Sequence, residues 1–145
     1  YGFANWVKIH EDELRAGLGA GHHFGEWWGG GIQRSYGLSK GEKHFSLFNT
    51  VRWAKPGTEP QRIVSGDPRI EKYQQLLPAC VGLVPELYRG IFDTDRIGNA
   101  LMTLREYGSL AAPGFMNPEG VVVFHIASQF MFKKTLDGDG AKGNE

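Results

Sequence analysis

Residues 45–53 read FSLFNTVRW. Phe45, Leu47 and Asn49 alternate with Ser46, Phe48 and Thr50, so large groups fall on both sides. That is the pattern of a strand in the middle of a sheet. Upstream, residues 22–28 (HHFGEWW) read as a second strand closed by Gly29-Gly30-Gly31, and residues 32–36 as a short further strand. A polar turn, Ser39 to Glu42, leads into the central strand. Nearer the start, Asn5 is placed to cap a helix to about Arg15, with Trp6, Ile9, Leu14 and Leu18 as its apolar stripe. Gly17, Gly19 and Gly21 stop it.

Downstream, residues 54–61 form a loop, and Pro68 starts a short helix through Leu77 with Ile70, Tyr73, Leu76 and Leu77 on one face. Residues 79–84 are a short apolar strand. Thr94 caps a helix whose Ile97, Leu101 and Leu104 follow helical spacing until Gly108 ends it. Residues 120–126 (GVVVFHI) read as a buried strand, and Phe130 to Thr135 as the last one. The order helix, strands, helix, strand, helix, strands lacks the strict alternation of a doubly wound sheet. It predicts an α+β fold with mainly antiparallel pairing.

The composition bounds the class. A length of 145 residues suits one domain, and 41% hydrophobic with 12% aromatic residues is enough to fill a core. No apolar run reaches transmembrane length, so no membrane partner is expected. No basic-then-apolar leader is visible, and Cys80 is the single cysteine, which excludes an internal disulfide framework. A cytoplasmic protein is the expectation. Lys+Arg and Asp+Glu both number 16, which disfavours a strongly basic nucleic-acid coat but leaves room for a local basic groove. The 21 glycines, spread without a period, mark turns and close backbone approaches.

Several motif-like strings dissolve on inspection. Adjacent His22 and His23 project to opposite faces of a strand, so with His44 and His125 they make a poor metal set. Residues 37–41 (GLSKG) match a nucleophile-elbow string, but no apolar strand precedes it and no helix follows. Residues 17–25 (GLGAGHHFG) fit neither dinucleotide nor Walker spacing. Charged residues at apolar strands are more informative. Glu26 sits in HFGEWWG, Glu119 opens GVVVFH, and Lys133 sits in FMFKKT. Each is costly to bury without a partner, which points to a shared polar pocket.

At these residues the chain resembles the covalent nucleotidyltransferase superfamily of ATP-dependent polynucleotide ligases and mRNA capping enzymes, and most closely the RNA ligases of phages and bacteria. Residues 24–29 (FGEWWG) resemble motif III, residues 45–53 motif IIIa, residues 119–123 (EGVVV) motif IV and residues 132–135 (FKKT) motif V. The four strings stand in the family's order over nearly the whole chain. The resemblance implies a nucleotidyltransferase (ATP-grasp-like) domain over residues 1–136, with mainly antiparallel sheets and flanking helices but without its N-terminal strands, and a flexible tail at 137–145.

The implied chemistry is ATP-dependent joining of 5′-phosphate and 3′-hydroxyl ends, through lysyl-AMP and an AMP-capped end, in RNA repair. ATP and Mg²⁺ are the implied cofactors, and RNA ends, or DNA ends, the implied partner. Glu26 would accept hydrogen bonds from the ribose hydroxyls, and Phe48 or its neighbour Phe45 would stack on adenine. Glu119 would hold the divalent metal, and Lys133 would neutralise the α-phosphate as charge builds. Arg34, Lys40 and Lys43 are candidate phosphate contacts, or ordinary surface charges.

The chain departs from the family at two places. Motif V usually carries a second lysine two residues on, where this chain has Thr135, and Lys134 is out of step with it. Motif I, Lys-x-Asp-Gly, follows none of the lysines; only Lys8 precedes motif III, in Lys8-Ile9-His10-Glu11. With Tyr1 rather than methionine first, the expectation is a C-terminal piece whose upstream segment supplies the nucleophilic lysine. The competing expectation is a catalytically inactive nucleotide- or nucleic-acid-binding module. A capping guanylyltransferase would need a downstream oligonucleotide-binding domain. Cys80 reads as core packing.

Overall fold

The computed structural model describes residues 1–64 and 68–137. In chain order, the first half holds helices α1 (Phe3–Ile9) and α2 (Glu11–Leu18), then strands β1 (Gly25–Gly29), β2 (Lys43–Leu47), β3 (Trp53–Ala54), β4 (Arg62–Val64), β5 (Glu71–Tyr73), β6 (Gln75–Leu76) and β7 (Val81–Leu83). Helix α3 (Thr94–Tyr107) and strands β8 (Gly120–His125) and β9 (Phe130–Thr135) follow. Two compact units divide after Val84. The fold is α+β. Three strand pairs are antiparallel (β1–β2, β4–β5, β8–β9) and two are parallel (β2–β7, β3–β6).

In the first unit β2 is the middle strand of the sheet β1-β2-β7, as its two-sided bulk predicts. It stops at Leu47, however, and does not run to Trp53. Asn49 ends it: its side-chain oxygen accepts the Arg52 N–H at 3.0 Å and its carbonyl accepts the Trp53 N–H. Asn side chains favour such turns because they mimic a backbone turn. Trp53, 2% exposed, then opens β3 and joins Leu18, Phe45, Leu47, Leu77 and Val81 in the core. Trp6 and Leu14 of the two helices pack against it.

The expected first helix is two helices. Gly2, in the left-handed region, precedes α1, and the backbone leaves helical geometry at His10 (φ −101°, ψ 15°). Glu11, Asp12 and Glu13 then occupy the first turn of α2, where carboxylates suit the positive end of a helix. Ile9 is exposed and off the stripe, while Trp6, Leu14 and Leu18 are on it. The short strand expected at 32–36 is a 3-10 turn, Ser35–Gly37, because Arg34, Ser35 and Tyr36 all have positive φ. The helix expected over 68–77 is replaced by two separate short strands, β5 paired with β4 and β6 with β3. Cross-strand ladders to β4 and β3 outweigh the helical spacing, and the Gln74 amide donates to the Thr50 and Val51 carbonyls between them.

The second unit is helix α3 packed on the β8–β9 hairpin. Asp93, one residue before the expected Thr94, is the cap: its carboxylate accepts the Asp95 N–H at 2.8 Å. Gly108 ends the helix at φ 80°, as expected. Leu104 and Val121 are buried in this unit, but Val122 and Phe124 are exposed, so β8 is a half-buried strand and not the fully buried one its sequence suggests. The tail beyond Asp137 lies outside the described residues.

Candidate functional site

The β8–β9 register sets one polar pair. Gly120 stands opposite Thr135, Val121 opposite Lys134 and Val122 opposite Lys133. Alternation therefore puts Lys133 on the face with Val122 and Phe124, and Lys134 on the face with Val121. Lys133 Nζ donates to Glu119 Oε1 at 2.6 Å. Glycine is required at 120: its φ is 154°, and a Cβ there would lie 2.1 Å from the Lys134 carbonyl oxygen. That tight crossing holds Glu119 at the hairpin mouth beside Lys133. The pair is solvated, with side chains 27% and 48% exposed. An ion pair of this kind contributes roughly 0.2–1 kcal/mol. An arriving anion and cation can therefore open it at little cost.

Glu26 belongs to the other unit. It stands opposite Ser46 on the face of the β1-β2-β7 sheet that α1 does not cover. The covered face carries Trp27 and Phe45, whose rings meet Phe3 and Trp6 at 5.2–5.7 Å. On the open face, Trp28 Nε1 donates to Ser46 Oγ at 2.9 Å, and the Trp28 ring lies against His44. Gly82 stands opposite Ser46, and a Cβ there would lie 3.3 Å from Ser46 Oγ. The ladder runs one step past β1: the Phe48 N–H donates to the Phe24 carbonyl at 3.0 Å, so Phe24 and Phe48 face each other across the strands.

This placement separates the two phenylalanines left as alternatives. Phe45 is 8% exposed and lodged among Phe3, Trp6 and Trp27, whereas Phe48 is 42% exposed at the end of the strand. Only Phe48 offers a ring face to a ligand. Phe24, also exposed, is a partner the sequence reasoning missed; its signal was its place two residues before Glu26. Arg34, Lys40 and Lys43 lie in or beside the connection from β1 to β2, toward the Gly29 end of the sheet and away from Phe48.

One further cluster was not foreseen. His10 Nδ1 lies 3.4 Å from Glu13 Oε2, while Glu13 Oε1 accepts the Cys80 N–H at 3.0 Å. That backbone hydrogen bond holds the Glu13 carboxyl below its ordinary range. Burial first, and the Glu13 carboxylate second, push the Cys80 thiol up to about 11. Cys80 packs against the core, as expected, and its sulfur also lies within 4.8 Å of a ligand atom of each of these two polar groups.

Two surface clefts lie elsewhere. One of about 330 Å³ is lined by Ala4, Lys8, Leu14 and neighbours, and one of about 570 Å³ by Tyr88, Phe92, Arg96 and neighbours. Neither includes Glu26, Phe48, Glu119 or Lys133. Among the described residues, no helix is long and apolar enough to cross a membrane. Compared with known proteins, the chain matches no family model, no curated protein and no solved structure.

Proposed function

We propose that this chain is the nucleotide-binding part of an ATP-dependent RNA ligase of the covalent nucleotidyltransferase superfamily. The observation that carries the reading is the Glu119–Lys133 pair: a carboxylate and an ammonium, 14 residues apart in sequence, held 2.6 Å from each other by one hairpin. A carboxylate of this sort suits hard Mg²⁺, and an ammonium suits a phosphate oxygen. In the absence of both ligands the two side chains neutralise each other. The open sheet face of the first unit carries, on its own, groups of the right chemistry for a nucleoside. Glu26 offers acceptors to ribose hydroxyls, and Phe48 offers a ring to adenine.

In this reading, bound Mg²⁺ supplies Lewis-acid stabilisation of the phosphates. Lys133 neutralises charge on the α-phosphate as the lysine–phosphorus bond forms and pyrophosphate leaves. Glu119 would hold the metal through its carboxylate without itself moving a proton. The attacking lysine comes from outside these 145 residues, since none of the lysines here begins Lys-x-Asp-Gly. RNA, with DNA as the alternative, supplies the 5′-phosphate that receives AMP.

The test is intact mass after incubation with ATP and Mg²⁺, on the chain extended through its upstream coding segment. The expected result is one AMP adduct, lost in Glu119→Ala and in Lys133→Ala while both stay folded. Normal adenylation by either variant would refute the assignment. No adduct on the extended chain would favour the inactive binding module.

A further inference from the structure

We propose that His10, Glu13 and Cys80 form a zinc site that ties the junction of α1 and α2 to the start of β7. His10 and Glu13 are three residues apart and Cys80 lies 67 residues beyond Glu13, yet one ligand atom from each falls within 4.8 Å of the others. The break at His10 makes this geometry. Where the backbone leaves helical φ/ψ, the imidazole rests against the Trp6 ring, with centroids 4.9 Å apart, and sits one turn from Glu13. Glu13 divides its two oxygens. Oε1 accepts the Cys80 N–H at 3.0 Å, which leaves Oε2 facing His10.

The His10–Glu13 separation is informative. At 3.4 Å it is long for a hydrogen bond. It equals the edge of a tetrahedron around zinc, which is about 3.4 Å between nitrogen and oxygen ligands and about 3.6 Å for edges to sulfur. The sulfur lies within 4.8 Å of the other two ligand atoms, so each sulfur edge exceeds its tetrahedral length by about 1.2 Å at most, and water fills the fourth corner. One nitrogen, one oxygen and one sulfur donor suit zinc, and do not suit Mg²⁺ or Ca²⁺, which take oxygen. All three residues are half-buried, so the site is reachable but shielded. On binding, the Cys80 S–H bond is replaced by an S–Zn bond and one proton leaves to solvent. The imidazole binds as the neutral ring through its lone pair, and no electron is transferred. The Glu13 hydrogen bond to Cys80 N–H then holds a ligand in place, as outer-shell partners of metal sites do.

Cobalt(II) titrated into the full chain tests this. The expected result is one equivalent bound, with a thiolate-to-cobalt charge-transfer band and the strong visible bands of four-coordinate cobalt, both abolished by added zinc. His10→Ala should weaken cobalt binding by about tenfold or more, with unchanged far-ultraviolet circular dichroism. Cys80→Ser should remove the charge-transfer band. Should Cys80→Ser fail to fold, alkylation of wild-type Cys80 by iodoacetamide replaces it, and zinc should slow that reaction by about tenfold or more. Absence of the band at millimolar cobalt would overturn the proposal. So would a band of unchanged affinity in His10→Ala, or an alkylation rate indifferent to zinc.

Discussion

The two compact units carry their candidate residues in opposite ways. The first is organised around buried aromatic and aliphatic groups, with Trp53 and Leu47 fully enclosed, and its candidate residues sit on the sheet face that the core does not use. The second has a thin core of Leu104, Ala112 and Val121, and its candidate residues are an exposed ion pair at a hairpin mouth. In the first unit, chemistry and stability are divided between the two faces of one sheet. In the second, they are divided between a helix-covered face and an open one. A side chain's face, more than its residue type, decides whether losing it costs fold or function.

The largest expected effect is on the core. Trp53→Ala should lower stability by about 3–5 kcal/mol, read as a fall in the denaturant midpoint, and should leave the first unit largely unfolded. A loss under about 1 kcal/mol would mean that Trp53 does not organise this core. Next is Lys133→Ala, expected to slow adenylation by roughly 10²–10³-fold. Its denaturation curve should shift by no more than about 0.5 kcal/mol, because the pair it breaks is solvated. A large stability loss would break the comparison, since it would make Lys133 structural.

The neighbouring phenylalanines sharpen it further. Phe48→Ala should weaken AMP binding by about 1–3 kcal/mol, the range for stacking on a base, with little change in stability. Phe45→Ala should do the reverse, destabilising by about 3–5 kcal/mol. Equal effects on binding and stability at both positions would remove the distinction between the faces. The smallest effect is alkaline. Burial raises the folded Cys80 thiol to about 11 from 9.0, so its contribution is complete below about 9 and is lost as pH rises through 11. Metal-free wild type should therefore lose stability across that window, and Cys80→Ser should lose less.

Much of the fold could be read where one residue type settles the local geometry. Gly108 ends α3, and the strand Phe130–Thr135 falls where its sequence puts it. The misreadings have one physical origin: a contact across the chain beat a local pattern. Ile70, Tyr73, Leu76 and Leu77 fit a helical stripe, but ladders to β4 and β3 took Tyr73 and Leu76 into strands and left Ile70 and Leu77 just outside them. Asn49 looked like one more alternating residue until its side chain closed a turn onto Arg52. Glu119 and Lys133 were visible as charges in apolar strands, but their pairing needed both the hairpin register and the tight backbone crossing at Gly120. The His10–Glu13–Cys80 group left no such trace, because 67 residues separate Glu13 from Cys80 and no spacing rule links them.

The proposed role is tested most directly by titrating AMP into the isotopically labelled chain and following its amide and indole resonances. Nucleotide binding on the open sheet face should shift Glu26, Trp28, Phe48 and Gly82 in a saturable way, leave Phe45 and Trp53 nearly still, and be lost in Phe48→Ala. Absence of any saturable shift at millimolar AMP, or shifts equally strong in Phe48→Ala, would contradict the account.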